Sequence, residues 1–418
     1  SILMNKKDWP AASHDLERAM ALEPDVAGHL ASHAWTLSHR KELDRALAEC
    51  DKAVELDPAN AHSWSSRGLV KVKKNDRAGA LADLSRAIEL DKGLASPWAS
   101  RASLRLEEDD IQGAIDDDTR SLELDPNSAT VWNNRACAKQ RKGDLDGALA
   151  DYARAIELAP LDEQQYVNRA NCHVARHDHA SAIADITKAL ELEPRDGRAL
   201  AIRGRAKLYT KDTTGAEADL KRAVELAPGD AAVWNALSFF HLTRGDTKSA
   251  LEAVERQVEV APDNADALTS RGFIRMKVGD LQGAREDCVK ATELRPLDAT
   301  CWDNLAEVLL HAKDHKAALE ASERCLRLGH RSAASWRRSA TLKHWLKDLQ
   351  GALADATRAV EINSHDFANL FVRADIYVAL GDRDAALKDY KAALALFGPK
   401  DEDPKIIRER IALIESQR

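Results

Sequence analysis

Small and apolar positions return along this chain every 34 residues. One string sets the period: alanine, an aliphatic residue, glutamate, leucine, one variable residue, proline. It runs from Ala53 to Pro58, Ala155 to Pro160, Ala189 to Pro194 and Ala223 to Pro228. Written in rows of 34 from Ala27, eleven rows reach Lys400 with no insertion or deletion. The residues before Ala27 read as the end of a twelfth row. Place 20 is alanine in every row, from Ala46 and Ala80 to Ala386. Place 8 is small, as at Gly68, Gly204, Ser238 and Gly272. Two small columns facing one another predict two helices in close approach. Place 4 is bulky (Trp64, Trp98, Trp132, Tyr166, Trp234, Trp302, Trp336) and is expected to fill the space between helices. Place 16 is an acid, Glu42 once and aspartate otherwise, where a cap or first-turn acid steadies a helix. Proline at place 32 in seven rows ends that helix. Each row therefore predicts a helix, a short turn and a second helix of similar length.

Such a hairpin cannot bury its apolar face alone, but stacked neighbours share a continuous core. These columns resemble the tetratricopeptide repeat family, and the row containing Val131, Trp132, Asn133, Asn134, Arg135, Ala136, Ala148, Tyr152, Ala155 and Pro160 is a near-complete match. Lys92, His330, Ser364 and Gly398 depart at the proline place, and Gln257 and Cys325 at place 27. The resemblance implies an all-α, right-handed superhelical solenoid of antiparallel helix pairs. Its first helices would line a concave groove that binds partners, with no catalysis by the repeats. The expected organisation is a partial repeat over 1–26, eleven repeats over 27–400 and a capping helix over 401–418. That helix would start at Asp403-Pro404 and bury Ile407, Ile411 and Ile414. Because Ser1 falls at place 9, the first helix is incomplete or the chain is excised from a longer protein.

The rows can also be compared with each other. Place 7 is arginine in seven rows (Arg67, Arg101, Arg135, Arg169, Arg203, Arg271, Arg373), and place 23 of those rows is aspartate: Asp83, Asp117, Asp151, Asp185, Asp219, Asp287 and Asp389. Where place 7 is Leu237 or Leu305, place 23 is Ala253 or Ala321, and Ser339 faces Asp355 as a mismatch. This predicts a salt bridge inside each repeat, twice replaced by an apolar pair.

Charge and motifs narrow the function. The 418 residues carry a net charge of −8 and a pI of about 6.0, which argues against a general nucleic-acid binder. No apolar run approaches membrane-spanning length, and no charged-then-apolar leader opens the chain. Six scattered cysteines without a CxxC pair suit a reducing, cytoplasmic setting, and Cys50, Cys288 and Cys325 fall at small core places. There is no phosphate-binding glycine loop, GxSxG or HExxH, and the isolated acids form no acid/base pair. His173 and His177 stand at i, i+4, but places 11 and 15 read as packing and turn positions rather than metal ligands. No enzyme activity and no cofactor are expected.

In the family, places 2, 5, 6, 9, 12 and 13 face the concave side. Here they hold the bases Lys73, Arg141, Arg198, Arg205, Lys277, Arg337 and Arg338 against the acids Glu107, Asp266, Asp303, Glu307 and Asp375, so the groove is near neutral. Place 6 carries Ser32, Ser66, Ser100, Asn134, Asn168, Ser270 and Asn304, with Asn133, Asn171 and Asn235 beside it. A row of amides offers donor and acceptor together and can hold an extended backbone. It resembles the asparagine ladder of the O-linked N-acetylglucosamine transferase repeats, interrupted here by Ile202, Ala236, Arg338 and Val372. Phe239 and Phe273 at place 9, with Tyr209, Leu242 and Met276, form a candidate apolar hot spot beside Arg198 and Arg205. The carboxylate clamp of some family members is not matched. The expected function is a scaffold that binds a protein or extended peptide. A regulatory or substrate-recruiting arm of a larger enzyme or signalling protein is the alternative, and RNA binding is disfavoured by charge. Partner identity and oligomeric state stay open.

Overall fold

The computed structural model describes residues 9–23, 26–397 and 404–416. Among the described residues there are 24 helices and no strand. By their contacts the helices fall into two compact units, Ser1–Ala216 and Glu217–Arg418, with the boundary inside helix Thr213–Leu226.

The first unit opens with Trp9–Leu22. Antiparallel pairs follow: Ala27–His39 with Leu43–Leu56, Ala61–Lys73 with Arg77–Leu90, Ala95–Glu107 with Ile111–Leu124, Ala129–Lys142 with Leu145–Leu158, and Glu163–Ala175 with His179–Leu192; Gly197–Tyr209 then packs on the last of them. In the second unit the pairs are Ala231–Thr243 with Thr247–Val260, Ala265–Lys277 with Leu281–Leu294, Ala299–His311 with His315–Arg327, Ala333–Trp345 with Leu349–Ile362, and Phe367–Leu380 with Arg383–Ala395; Lys405–Ser416 packs last. This is an all-α solenoid built from consecutive helix pairs.

The turn inside each pair is the same device repeated. The residue at place 15 is left-handed in all eleven rows: glycine at Gly143, Gly245, Gly279 and Gly381, and a side-chain-bearing residue with φ of 61–69° at Lys41, Asn75, Asp109, His177, Lys211, Lys313 and Lys347. The next N–H reaches back to the carbonyl at place 11, as Asp76 does to Lys71 at 2.9 Å, so the first helix closes with a Schellman-type turn. Aspartate at place 16 then caps the second helix. Asp76, Asp110, Asp144 and Asp212 accept from the N–H groups of Gly79, Gly113, Gly147 and Gly215 at 2.9–3.0 Å, and Asp178, Asp246, Asp280, Asp314, Asp348 and Asp382 do the same in their rows. Glu42, one methylene longer, makes no such bond.

Close approach happens where the small columns meet. Every place-20 alanine is at most 1% exposed. A Cβ added at Gly272 would stand 2.8 Å from Cys288 Sγ and 3.2 Å from the Ala284 carbonyl, and at Gly68 2.9 Å from Leu84 Cγ. Ser238 at the same place donates to the Ala250 carbonyl at 3.0 Å.

The tryptophan column adds a second role to the expected one. Trp64, Trp132, Trp234 and Trp302 are half-buried, and each donates Nε1–H to the carbonyl of the proline six residues earlier at 2.8–3.0 Å. Besides packing between helices, as Trp302 does against the cluster around Leu305, the column staples a first helix to the turn before it, because indole carries a donor that must find a partner when covered. At the C-terminal end Ile407 and Ile414 are buried with Leu387, Tyr390 and Ala393, and Ile411 packs beside them. Pro404 accepts from the N–H groups of Ile407 and Arg408, whereas Asp403 lies outside the described residues.

Candidate functional site

Two faces of the helix pairs carry polar chemistry. On one, the place-7 arginines grip the place-23 aspartates. Arg67, Arg101 and Arg135 each donate through Nε and Nη2 to both oxygens of Asp83, Asp117 and Asp151 at 2.7–2.8 Å. Arg169–Asp185, Arg271–Asp287 and Arg373–Asp389 repeat the fork. Arg203 and Asp219 belong one to each unit. The seven place-23 aspartates are 2–7% exposed. Their hydrogen bonds raise the Arg67, Arg169, Arg271 and Arg373 guanidinium groups above the usual arginine value despite burial.

Place 11, which the sequence suggested as packing, puts a second basic side chain beside this carboxylate in several rows. Lys71 and Lys139 lie 2.7 Å from Asp83 and Asp151, Arg105 and Arg275 lie 3.0 and 2.9 Å from Asp117 and Asp287, and His173 lies 3.8 Å from Asp185. The signal was present as a run of bases at that place. Two irregular rows obey the same rule. His33 bonds Glu49 at 2.7 Å, and Asp355 takes Ser339 at 2.6 Å together with Lys343 at 2.8 Å. Arg67, Arg101 and Arg135 also cover their place-4 rings, at 4.6, 5.1 and 4.7 Å over Trp64, Trp98 and Trp132. A doubly paired, buried carboxylate is a structural clasp.

The other face is formed by the first helices. In the first unit it holds two adjoining concavities that share Ala95 and Ser96. One, of about 450 Å³, is lined by Ser32, Trp35, Ser65, Ser66, Leu69 and Pro97. The next, of about 440 Å³, is lined by Ser100, Ser103, Thr130, Val131 and Asn134. Trp35 stands at place 9, like Phe239 and Phe273, and packs edge-on to Trp9 with ring centres 4.9 Å apart. Sequence reasoning passed over Trp35, although its place marked it.

The predicted amides are partly spent on each other. Asn168 donates to Asn133 at 2.9 Å and accepts from Gln164 at 3.0 Å, and Asn134 reaches Ser103 at 3.4 Å. Asn171 and Asn235 make no side-chain hydrogen bond to a described residue. Arg198 and Arg205 are exposed, and Tyr209 stacks on His179 with ring centres 4.2 Å apart. In the second unit Phe273 is 38% exposed under the Lys277 ammonium, and Phe239 is half-buried. Met276 and Leu242 instead pack against buried clusters around Leu305 and Ile274, which removes them from an exposed patch. Most of the predicted groove charges are also paired. Arg338 takes Asp303 and Glu307 at 2.7 Å, Arg337 takes Asp366 at 2.6 Å, and Arg141 takes Asp109 at 2.8 Å.

Among the described residues no three metal-ligating side chains converge. Cys50, Cys288 and Cys325 are buried, and burial pushes their thiols up to about 12. No described helix is long and apolar enough to cross a membrane.

Family models described as tetratricopeptide repeat match residues 2–61, 129–162, 167–231, 207–271 and 368–397. No curated protein matches the chain in sequence. Among solved structures, the APC/C hetero-tetramer Cut9–Hcn1 aligns over 99% of this chain and 94% of that one at 14% identity, with a TM-score of 0.52. Yeast Tom70 aligns over 94% and 96% at 16% identity and a TM-score of 0.43. YrrB, described as a tetratricopeptide repeat protein with an unusual peptide-binding site, aligns over 44% and 94% at 23% identity and a TM-score of 0.38. At these identities the likeness is one of fold alone.

Proposed function

Because the chain belongs to the tetratricopeptide repeat family, we propose that it is a non-catalytic scaffold that holds an extended segment of a partner protein along its first-helix face. The observation that carries this reading is the pair of adjoining concavities in the first unit. They cross four successive first helices, from Ala31 to Asn134, and are lined by small hydroxyl side chains with one aromatic, Trp35. Short hydroxyls let a backbone come close and bond to it without demanding particular side chains, and Trp35 supplies an apolar anchor. The six thiols, all unpaired among the described residues, fit a reducing compartment.

A random-peptide display selection against the whole chain tests the reading. Selected peptides should lose at least about tenfold in affinity, ~1.4 kcal/mol, when Ser66 and Ser100 are both replaced by arginine. Helix content should stay unchanged. Peptides that bind the double variant as they bind the parent would refute the placement of the site.

A further inference from the structure

In six rows an arginine at place 7 is paired with an aspartate at place 23, with an indole or phenol ring at place 4 in four of them. Two rows of the second unit break this. Leu305 and Ala321 replace the pair over Trp302 and leave a cavity of about 390 Å³ walled by Val289, Leu305, Leu309 and Ala321. Arginines 285, 324 and 327 also line it, against a single acid, Glu320. Arg285 and Arg327 have distant partners, Asp314 at 3.5 Å and Glu323 at 3.6 Å. Arg324 is half-buried and makes no ion pair with any described residue. Leu237 and Ala253 leave the corresponding cavity over Trp234, about 470 Å³, but there Glu252, Glu255 and Glu259 outnumber Arg256.

We propose that the Trp302 cavity is a docking site, separate from the first-helix face, for an acidic segment of a partner protein carrying one bulky apolar side chain. The apolar side chain takes the position that a guanidinium holds in other rows, against the indole and the aliphatic wall. Its flanking carboxylates meet Arg324, Arg285 and Arg327. Charge complementarity selects this occupant. A basic segment would bring its cations against three arginines, and a neutral one would leave Arg324 uncompensated in a partly desolvated setting. The acidic Trp234 cavity has the same shape-giving substitution and the opposite charge, so it is an internal control.

The probe is a fluorescein-labelled peptide of glutamates around one phenylalanine, followed by fluorescence anisotropy with the whole chain. Saturable binding is expected, and a glutamine version should bind about tenfold more weakly. Leu305→Arg with Ala321→Asp closes the cavity with the fold's own pair, which forms in the Arg373–Asp389 row without a second cation at place 11 (Tyr377). It should weaken binding at least about tenfold. Arg324→Ala, a milder change, should weaken binding and flatten its salt dependence. Leu237→Arg with Ala253→Asp should leave binding as it was. The proposal is overturned by any one of four results: no saturable binding at millimolar peptide, equal binding of the glutamine peptide, full binding by the closed variant, or equal loss in the Trp234 control.

Discussion

Asp118 breaks a core column. Place 24 holds residues such as Leu84, Ile186, Leu220 and Val254 in other rows. Asp118 is 1% exposed, and its Oδ1 has no hydrogen-bond partner among the described residues. Burial lifts its carboxyl to about 8; Arg135 pulls it down, while Asp117 and Asp151 push it further up. At neutral pH the folded chain therefore keeps a proton that the unfolded chain releases above about pH 4. The stability tied to this group is fully present below the unfolded value and is lost as pH rises through the folded one. The loss runs at ~1.4 kcal/mol per pH unit, so it amounts to ~3 kcal/mol between about pH 5 and pH 7. Asp118→Leu, the residue of the preceding row, removes the linkage. Because repeat arrays unfold in pieces, the measure is hydrogen exchange of the Ile111–Leu124 amides in both chains at both pH values, rather than one global midpoint. The variant should gain ~3 kcal/mol on the parent between those pH values. A difference that stays flat with pH, or an Asp118 carboxyl that titrates near 4 by carbon-13 NMR, would refute the reasoning.

Three further outcomes are expected. Asp151→Ala should cost ~1–3 kcal/mol in chemical denaturation because it leaves Arg135 and Lys139 uncompensated; adding Arg135→Leu and Lys139→Leu should recover most of the loss, and no recovery would reject the clasp. Deleting residues from Pro404 onward should uncover Tyr390 and Leu394, so that hydrogen exchange rises first in Phe367–Leu380 and Arg383–Ala395; a uniform response would contradict this. Phe273→Ala and Phe239→Ala should each weaken a first-helix-face partner by more than ~1 kcal/mol in titration calorimetry, with Arg205→Ala weaker in effect. Met276→Ala should instead lower stability, since Met276 packs against the Leu305 cluster.

What the sequence made legible was whatever repeats in one row. Alanine at place 20 and aspartate at place 16 each answer a local demand, a helix crossing and an unsatisfied N–H, so the column alone states the role. The arginine–aspartate clasp was legible for a related reason: when Leu237 and Leu305 lose the cation, Ala253 and Ala321 lose the anion with it. The left-handed place 15 was hidden because Lys41, Asn75, Asp109 and His177 have no common chemistry. What they share is backbone geometry imposed by the turn, at a conformational cost of ~1–2 kcal/mol for a residue with a Cβ. The tryptophan column was legible by its bulk, but the bond from its Nε1–H to the preceding turn was not.

The first-helix face was harder for a specific reason. Facing is a property of one row, but availability is a property of two. Asn133 sits at place 5 and Asn168 at place 6 of the next row, and they meet at 2.9 Å. Asp303 at place 5 and Arg338 at place 6 of the next row meet at 2.7 Å. Ser38 at place 12 and Lys73 at place 13 of the next row meet at 3.0 Å. Adjacent first helices therefore join place 5 to place 6 and place 12 to place 13. A tally of groove charges by face counts Asp303 and Arg338 as one acid and one base offered to a partner, whereas the stack pairs them with each other. Burial pushes the Asp303 carboxyl up, but the Arg338 hydrogen bond and charge, with hydrogen bonds from Ser335 and Cys325, hold it below the usual range. The side chains left for a partner are those whose counterpart in the adjoining row cannot answer them. That condition turns attention from the predicted amides towards Trp35 and the serines around Ala95 in one unit, and towards Phe273 in the other.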